Sequence, residues 1–285
     1  MRARIAYLSI VITLAALSAA GQQAPNAPKP TDIYCSGIVT KAPIPYDTYL
    51  ISGEQSDPKI TFARGDLVYI NKGSSQGVKV GDEYLVTRAV HELLKYPWFT
   101  WQTSLMRAMG TRYADLGRLR VVHVQPKVAV AQVVYSCDFM LRGDVVRPFA
   151  ERPVPVMKTD VNFDRFAPAS GRKEAMVVTT KNFGQIAGTN SIVYVNLGSD
   201  QGVKVGDYFR VFRYQGIRKE TAYQTYGMAY KMYGFGRAPT SYKWSDLPRE
   251  VLGEGIVLRV GPNASTVLLT LSLREIYVGD YVELE

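Results

Sequence analysis

The chain contains one stretch twice. Residues 66–88 read DLVYINKGSSQGVKVGDEYLVTR, and residues 191–213 read SIVYVNLGSDQGVKVGDYFRVFR. The two agree at 14 of 23 positions, with an unbroken shared core at Gln76–Asp82 and Gln201–Asp207. An offset of 125 residues in a chain of 285 marks an internal duplication, so the architecture must accommodate the same unit two times. Val68 and Ile70, like Val193 and Val195, alternate with their neighbours at period two, the pattern of a strand with one apolar face. Asn-x-Gly-Ser then signals a turn, because Asn and Gly tolerate positive φ. A second alternating run follows (Tyr84, Val86; Phe209, Val211). It is introduced by Gly81-Asp82 and by Gly206-Asp207, where Gly permits the bend and the carboxylate can accept backbone N–H groups. Two identical copies beside Gly point to turn capping by Asp82 and Asp207 rather than to catalysis or metal binding.

The same dipeptide closes each half, as Gly143-Asp144 and Gly279-Asp280. The two Gly-Asp turns are 62 residues apart in the first half and 73 in the second, and the difference falls in or beside a variable insert. The first insert, 89–116, places Trp98, Trp101, Leu105 and Met109 at i, i+3, i+7 and i+11, which predicts a helix with those residues on one face. The second, 214–248, interleaves aromatic and basic residues. Short strands with regular turns predict an all-β fold with minor α in the inserts: two tandem small barrel-like β domains, since closure hides strand edges. The expected division is a signal peptide over 1–20, a disordered tether over 21–31, a first domain over 32–148, a Pro-rich linker over 149–172 and a second domain over 173–285.

The pattern Gly-x-x-x-Gly-Val-x-x-Gly-Asp, a strand, an insert and a closing Gly-Asp-x-Val resembles the C-terminal domain of the flagellar assembly protein T family. The residues that carry it are Gly73, Gly77, Val78, Gly81 and Asp82 through Gly143-Asp144-Val145. They recur as Gly198, Gly202, Val203, Gly206 and Asp207 through Gly279-Asp280-Tyr281-Val282. The resemblance implies a small β module of a periplasmic structural protein, a non-catalytic part of the envelope.

The N-terminus supplies the address. Arg2 and Arg4 precede the apolar run Ile5–Leu17, and small residues follow at Ser18–Gly21, as in a secretory signal. No later apolar run is of spanning length, so the mature chain is expected to be exported, to the periplasm or cell envelope, and peripheral to a membrane at most. Without Arg2 and Arg4, 32 basic residues face 25 acidic ones. Such a balance suits anionic envelope components rather than nucleic acid, and also serves solubility alone. Export implies an oxidising compartment, in which Cys35 and Cys137 would tie the start of the first domain to its last strands; two free buried thiols are the alternative.

Signals of catalytic or metal chemistry are sparse. His91 and His123 are the two histidines, and no His-Glu-x-x-His, Cys/His cluster or Walker loop accompanies them, so neither a metal nor a cofactor is expected. The candidate binding surface is aromatic and basic: Trp98, Trp101 and Arg107 in the first insert, and Tyr223, Tyr226, Tyr230, Tyr233, Arg237, Tyr242 and Trp244 in the second. Tyr and Trp offer apolar faces with polar handles, and Arg pairs with carboxylates or phosphates. The competing reading has these rings packed on their own barrel. The function expected is non-enzymatic, a structural or assembly module that presents its inserts to an envelope protein. The alternative is a module binding peptidoglycan or another cell-wall glycan. A wall hydrolase ranks third, for want of an identifiable nucleophile or acid–base pair.

Overall fold

The computed structural model describes residues 26–55, 59–91, 97–159, 163–215 and 247–285, and it is mostly β. The duplicated stretch forms the same local structure in both copies. β3 (Leu67–Ile70) and β10 (Ile192–Val195) each lead into a single 3-10 turn, Ser74–Gln76 or Ser199–Gln201. In each copy the Gln side chain folds back on the turn, as Gln76 Oε1 accepts from Gly73 N–H and Gln201 Oε1 from Gly198 N–H. Gly77 and Gly202 end the turns at φ 85° and 86°, a left-handed conformation that favours glycine. At Gly73 and Gly198 the requirement is space: an added Cβ would lie 2.1 Å from the Gln125 carbonyl oxygen or 2.2 Å from that of Gly261.

The strands then assemble in one antiparallel order, twice. In the first sheet β2 (Leu50–Gly53), β3, β6 (Ala129–Ser136), β5 (Thr111–Val124), β4 (Glu83–Val90) and β7 (Val145–Pro148) are neighbours in that sequence, and β1 (Ile38–Thr40) pairs with the start of β5. In the second, β8 (Glu174–Thr180), β10, β13 (Ser265–Ser272), β12 (Glu250–Val260), β11 (Tyr208–Arg213) and β15 (Tyr281–Leu284) follow the same path, and β15 pairs with β8 to close a six-stranded barrel. A small ribbon of β9 (Ile186–Ala187) and β14 (Ile276–Tyr277) stands beside it.

One of the two expected barrels therefore closes, and the other is an open sheet. The ends of the open sheet meet at a single bridge, Tyr49 to Val145, with Leu50 N–H donating to Asp144 O and Gly143 N–H to Leu50 O. The equivalent bonds in the barrel are Val177 N–H to Asp280 O and Gly279 N–H to Val177 O, but there three ladder pairs, from Tyr281–Met176 to Glu283–Glu174, continue the seam. The difference lies in the strand that must complete the circle. β8 runs for 7 residues, whereas β2 has 4 and follows Pro43 and Pro45, which supply no N–H to a ladder.

Each sheet wraps its own apolar core, Leu50, Phe62, Val68, Ile70 and Leu119 in the first, and Val177, Val195, Phe209, Leu252 and Val257 in the second. Two further clusters join the halves. Helix α1 (Pro30–Tyr34) inserts Ile33 among Ile192, Tyr208, Ile256, Leu258 and Leu268 of the barrel's outer face. Val39 and Met109 meet Val178, Tyr194 and Ala264. Every residue of β10 is buried as a result, while its counterpart β3 keeps the half-buried alternation.

Of the residues expected as tether and linker, 26–31, 149–159 and 163–172 are described, and they make contacts with this body. Pro30 and Thr31 belong to α1, Asn26 O accepts from Met157 N–H, and Val251 N–H donates to Arg165 O. Phe163 packs partly on the cluster of Ala167, Phe212 and Val251, and Phe166 stays 57% exposed.

Candidate functional site

A buried polar cluster lies at the seam between the halves, and Asp115 is its hub. The strand register of β5 carries this side chain into the interior, where it is 5% exposed. It accepts from Gly37 N–H at 2.9 Å and from both terminal nitrogens of Arg152 at 2.8 and 2.9 Å. Arg259 of the barrel approaches the same carboxylate at 3.3 Å. Burial pushes the Arg259 guanidinium down to about 10 against the pull of Asp115. Tyr194, from the repeat, donates its hydroxyl to Ser36 O at 2.8 Å, and burial pushes it up to about 12, so it remains a neutral donor. A disulfide joins Cys35 to Cys137 and pins the segment that carries Ser36 and Gly37 to the end of β6.

The first insert lies along this seam. Helix α2 (Gln102–Met109) begins at Gln102, whose buried amide accepts from Trp98 N–H and donates to Val178 O across the seam. Gln102, Leu105, Met106 and Met109 form the inner face. The expected face of Trp98, Trp101, Leu105 and Met109 is thus corrected. Trp98 and Trp101 precede the first helical turn, so the helical period does not govern them. Trp98 is half-buried and Trp101 is 67% exposed. Arg107 is exposed on the same helix.

Two adjoining clefts open here and share Val90, His91 and Arg112. One, of about 410 Å³, has Val39, Met106 and Met109 as apolar lining and Arg107, Arg112 and His91 as its basic groups. The other, of about 490 Å³, reaches the disulfide, Tyr194, Phe183 and Lys181. Arg112 stands between them, its Nη1 and Nη2 donating to Thr180 O and Lys181 O and its guanidinium 3.9 Å above the Phe183 ring.

No protein-family model matches this chain, and no curated protein is significantly similar to it.

The turn residues are structural where they stand. Asp82 Oδ2 accepts from Lys79 N–H, and Asp207 Oδ2 from Lys204 N–H. Asp144 and Asp280 likewise accept from Leu141 and Tyr277 N–H, and each also receives a two-pronged arginine. Arg88 holds Asp144 through Nε and Nη2, both at 2.7 Å, and Arg213 holds Asp280 at 2.7 and 2.6 Å. Gly81, Gly206, Gly143 and Gly279 all take positive φ, from 87° to 105°. These arginines are the matched last residues of the two repeats, but nothing in their local sequence marks them as partners of carboxylates 56 and 67 residues away. No local motif announces Asp115, Arg152 or Arg259, which meet only across the seam. Tyr223, Tyr226, Tyr230, Tyr233, Arg237, Tyr242 and Trp244 lie outside the described residues.

Among the described residues, no three His, Cys, Asp or Glu side chains are grouped to hold a metal ion, and no helix is long and apolar enough to cross a membrane. The disulfide accords with an oxidising, extracytoplasmic site.

Proposed function

We propose that this chain is a non-enzymatic, exported module of the cell envelope, built from two barrel-like units of the flagellar assembly protein T type, that presents its inserts to an envelope protein partner. The observation that carries the reading is Trp101, 67% exposed at the start of α2, on a body whose halves are joined by buried clusters. Large aromatics are costly to leave in water, and on a rigid support they are common anchors of interfaces. Arg107 on the same helix adds a partner for acidic groups. The apolar N-terminal run Ile5–Leu17 and the disulfide support export.

The second reading, recognition of a cell-wall glycan, draws on the same ring, since indole stacks on sugar faces as well as on protein side chains. A photo-crosslinking residue at position 101, expressed in the native envelope, tests the first reading: a discrete crosslinked protein is expected. Purified protein that instead co-sediments with peptidoglycan sacculi, saturably and in high salt, with the binding lost in Trp101→Ala, would replace it by the second. Binding that disappears with modest salt would reflect only the basic balance of the chain.

A further inference from the structure

The cleft of about 410 Å³ is a different kind of feature from the exposed Trp101 ring. Its lining comes from separate parts of the chain: Val39 from β1, Met106 and Met109 from α2, Thr179 from β8 of the barrel. Pockets at the junction of two packed units, in a size range of about 300–1,000 Å³, are usual places for small ligands. The chemistry of the lining is lopsided. Among the described residues, Arg107, Arg112 and His91 contribute to it and no aspartate or glutamate does. The apolar part includes two methionines, whose unbranched, polarisable side chains adapt to varied shapes. Met109 and Val39 belong to the buried cluster that holds the halves together, so that surface is firmly supported from behind.

We propose that this cleft binds a small anionic amphiphile: an oxyanion head, carboxylate or phosphate, paired with Arg107 and held in the positive field of Arg112, carried on an apolar body that lies over Met106, Met109 and Val39. Arg112 supplies fixed positive charge rather than direct hydrogen bonds, since Thr180 O, Lys181 O and the Phe183 ring already engage its guanidinium. Arg107 is exposed and reaches the head from the helix side. The proposal does not depend on which envelope partner Trp101 meets. The head could belong to a membrane lipid or to a free soluble amphiphile, and the shared chemistry is the same.

The test is calorimetric titration of the full, disulfide-intact protein with decyl phosphate and with decanoate below their micellar concentrations, against decanol and inorganic phosphate. Saturable one-to-one binding of the two amphiphilic anions is expected, weakened about tenfold or more by Arg107→Glu, in line with the worth of a charged hydrogen bond. Thr103→Trp, at an exposed lining position, should block the cleft without disturbing the core. Decanol binding as tightly as decyl phosphate, or decyl phosphate binding indifferent to both substitutions, would overturn the proposal. So would inorganic phosphate matching decyl phosphate, since the apolar surface would then do nothing. Co-sedimentation with phosphatidylglycerol vesicles that Arg107→Glu abolishes would assign the head to a lipid, and binding of the soluble amphiphiles alone would assign it to a free one.

Discussion

Replacing Arg213 by Met removes a guanidinium and keeps most of the apolar stem. Asp280, 1% exposed, would lose both prongs of its clamp and retain only the Tyr277 N–H. Arg213 also donates to Glu275 O at 3.2 Å and lies over the Tyr277 ring, contacts that vanish with the charge. Breaking a buried pair from one side leaves a carboxylate without its counter-charge, a change that costs about 3–5 kcal/mol. The matched pair in the first half sets the control. Its arginine, Arg88, is 28% exposed against 16% for Arg213, so water can partly replace it, and Arg88→Met should cost about 1–3 kcal/mol. In Arg213→Met/Asp280→Asn the charge is gone from both sides, while the Asn oxygen can still accept from Tyr277, so most of the loss should be recovered. Equilibrium urea unfolding at pH 7, followed by far-UV circular dichroism with the disulfide intact, measures all of these. A single Arg213→Met substitution costing under about 1 kcal/mol, or a double variant that sums the two singles, would refute the reasoning.

Glu254 is 5% exposed, its Oε1 has no hydrogen-bond partner among the described residues, and Lys158 stands 3.6 Å from its other oxygen. Burial raises its carboxyl above the ordinary 4.5. The fold thus prefers the protonated form: the stability this group contributes is complete below pH 4.5 and is lost as pH rises through the raised value. Glu254→Gln should be more stable than the parent at pH 7.5 by about 1 kcal/mol, with the gap closing toward pH 4; a pH-independent gap in urea unfolding would count against this. Replacing both Cys35 and Cys137 with Ser opens a loop of sequence separation 102 and should lower stability by about 4–5 kcal/mol, read as a drop in Tm. An unchanged Tm would mean the rest of the seam suffices to hold residues 30–40.

Much of this molecule was legible where its information is local. The alternation of Val68 and Ile70, the glycines that need positive φ and the Asp side chains that cap their own turns all act within a few residues, so a string of letters exposes them. The pairing of Cys35 with Cys137 was inferred from compartment and position. Arg88 and Asp144 are separated by 56 residues and meet only because β4 and β7 are adjacent in a given register, which no local pattern encodes. Closure was overestimated for the first sheet because a barrel is decided at its weakest seam, the one formed by the short strand after Pro43 and Pro45. Trp101 shows a third limit: its spacing fits a helical stripe, but the helix starts one residue later and the ring faces water.

Duplication ordinarily yields two interchangeable modules, either of which can be lost. Residues 30–40 end that freedom here. They are sewn to the first sheet by β1 and a disulfide, and their Ile33 and Val39 fill apolar ground shared with the barrel. Among the described residues no second copy of this segment precedes the barrel, whose upstream residues 163–168 instead lie against Val251 and Arg249. Delete the first copy and Ile192, Tyr208 and Leu258 would face solvent; delete the second and Ile33 would have nowhere to go. Two copies of one design form unequal halves of one packed body, each completing apolar surface of the other.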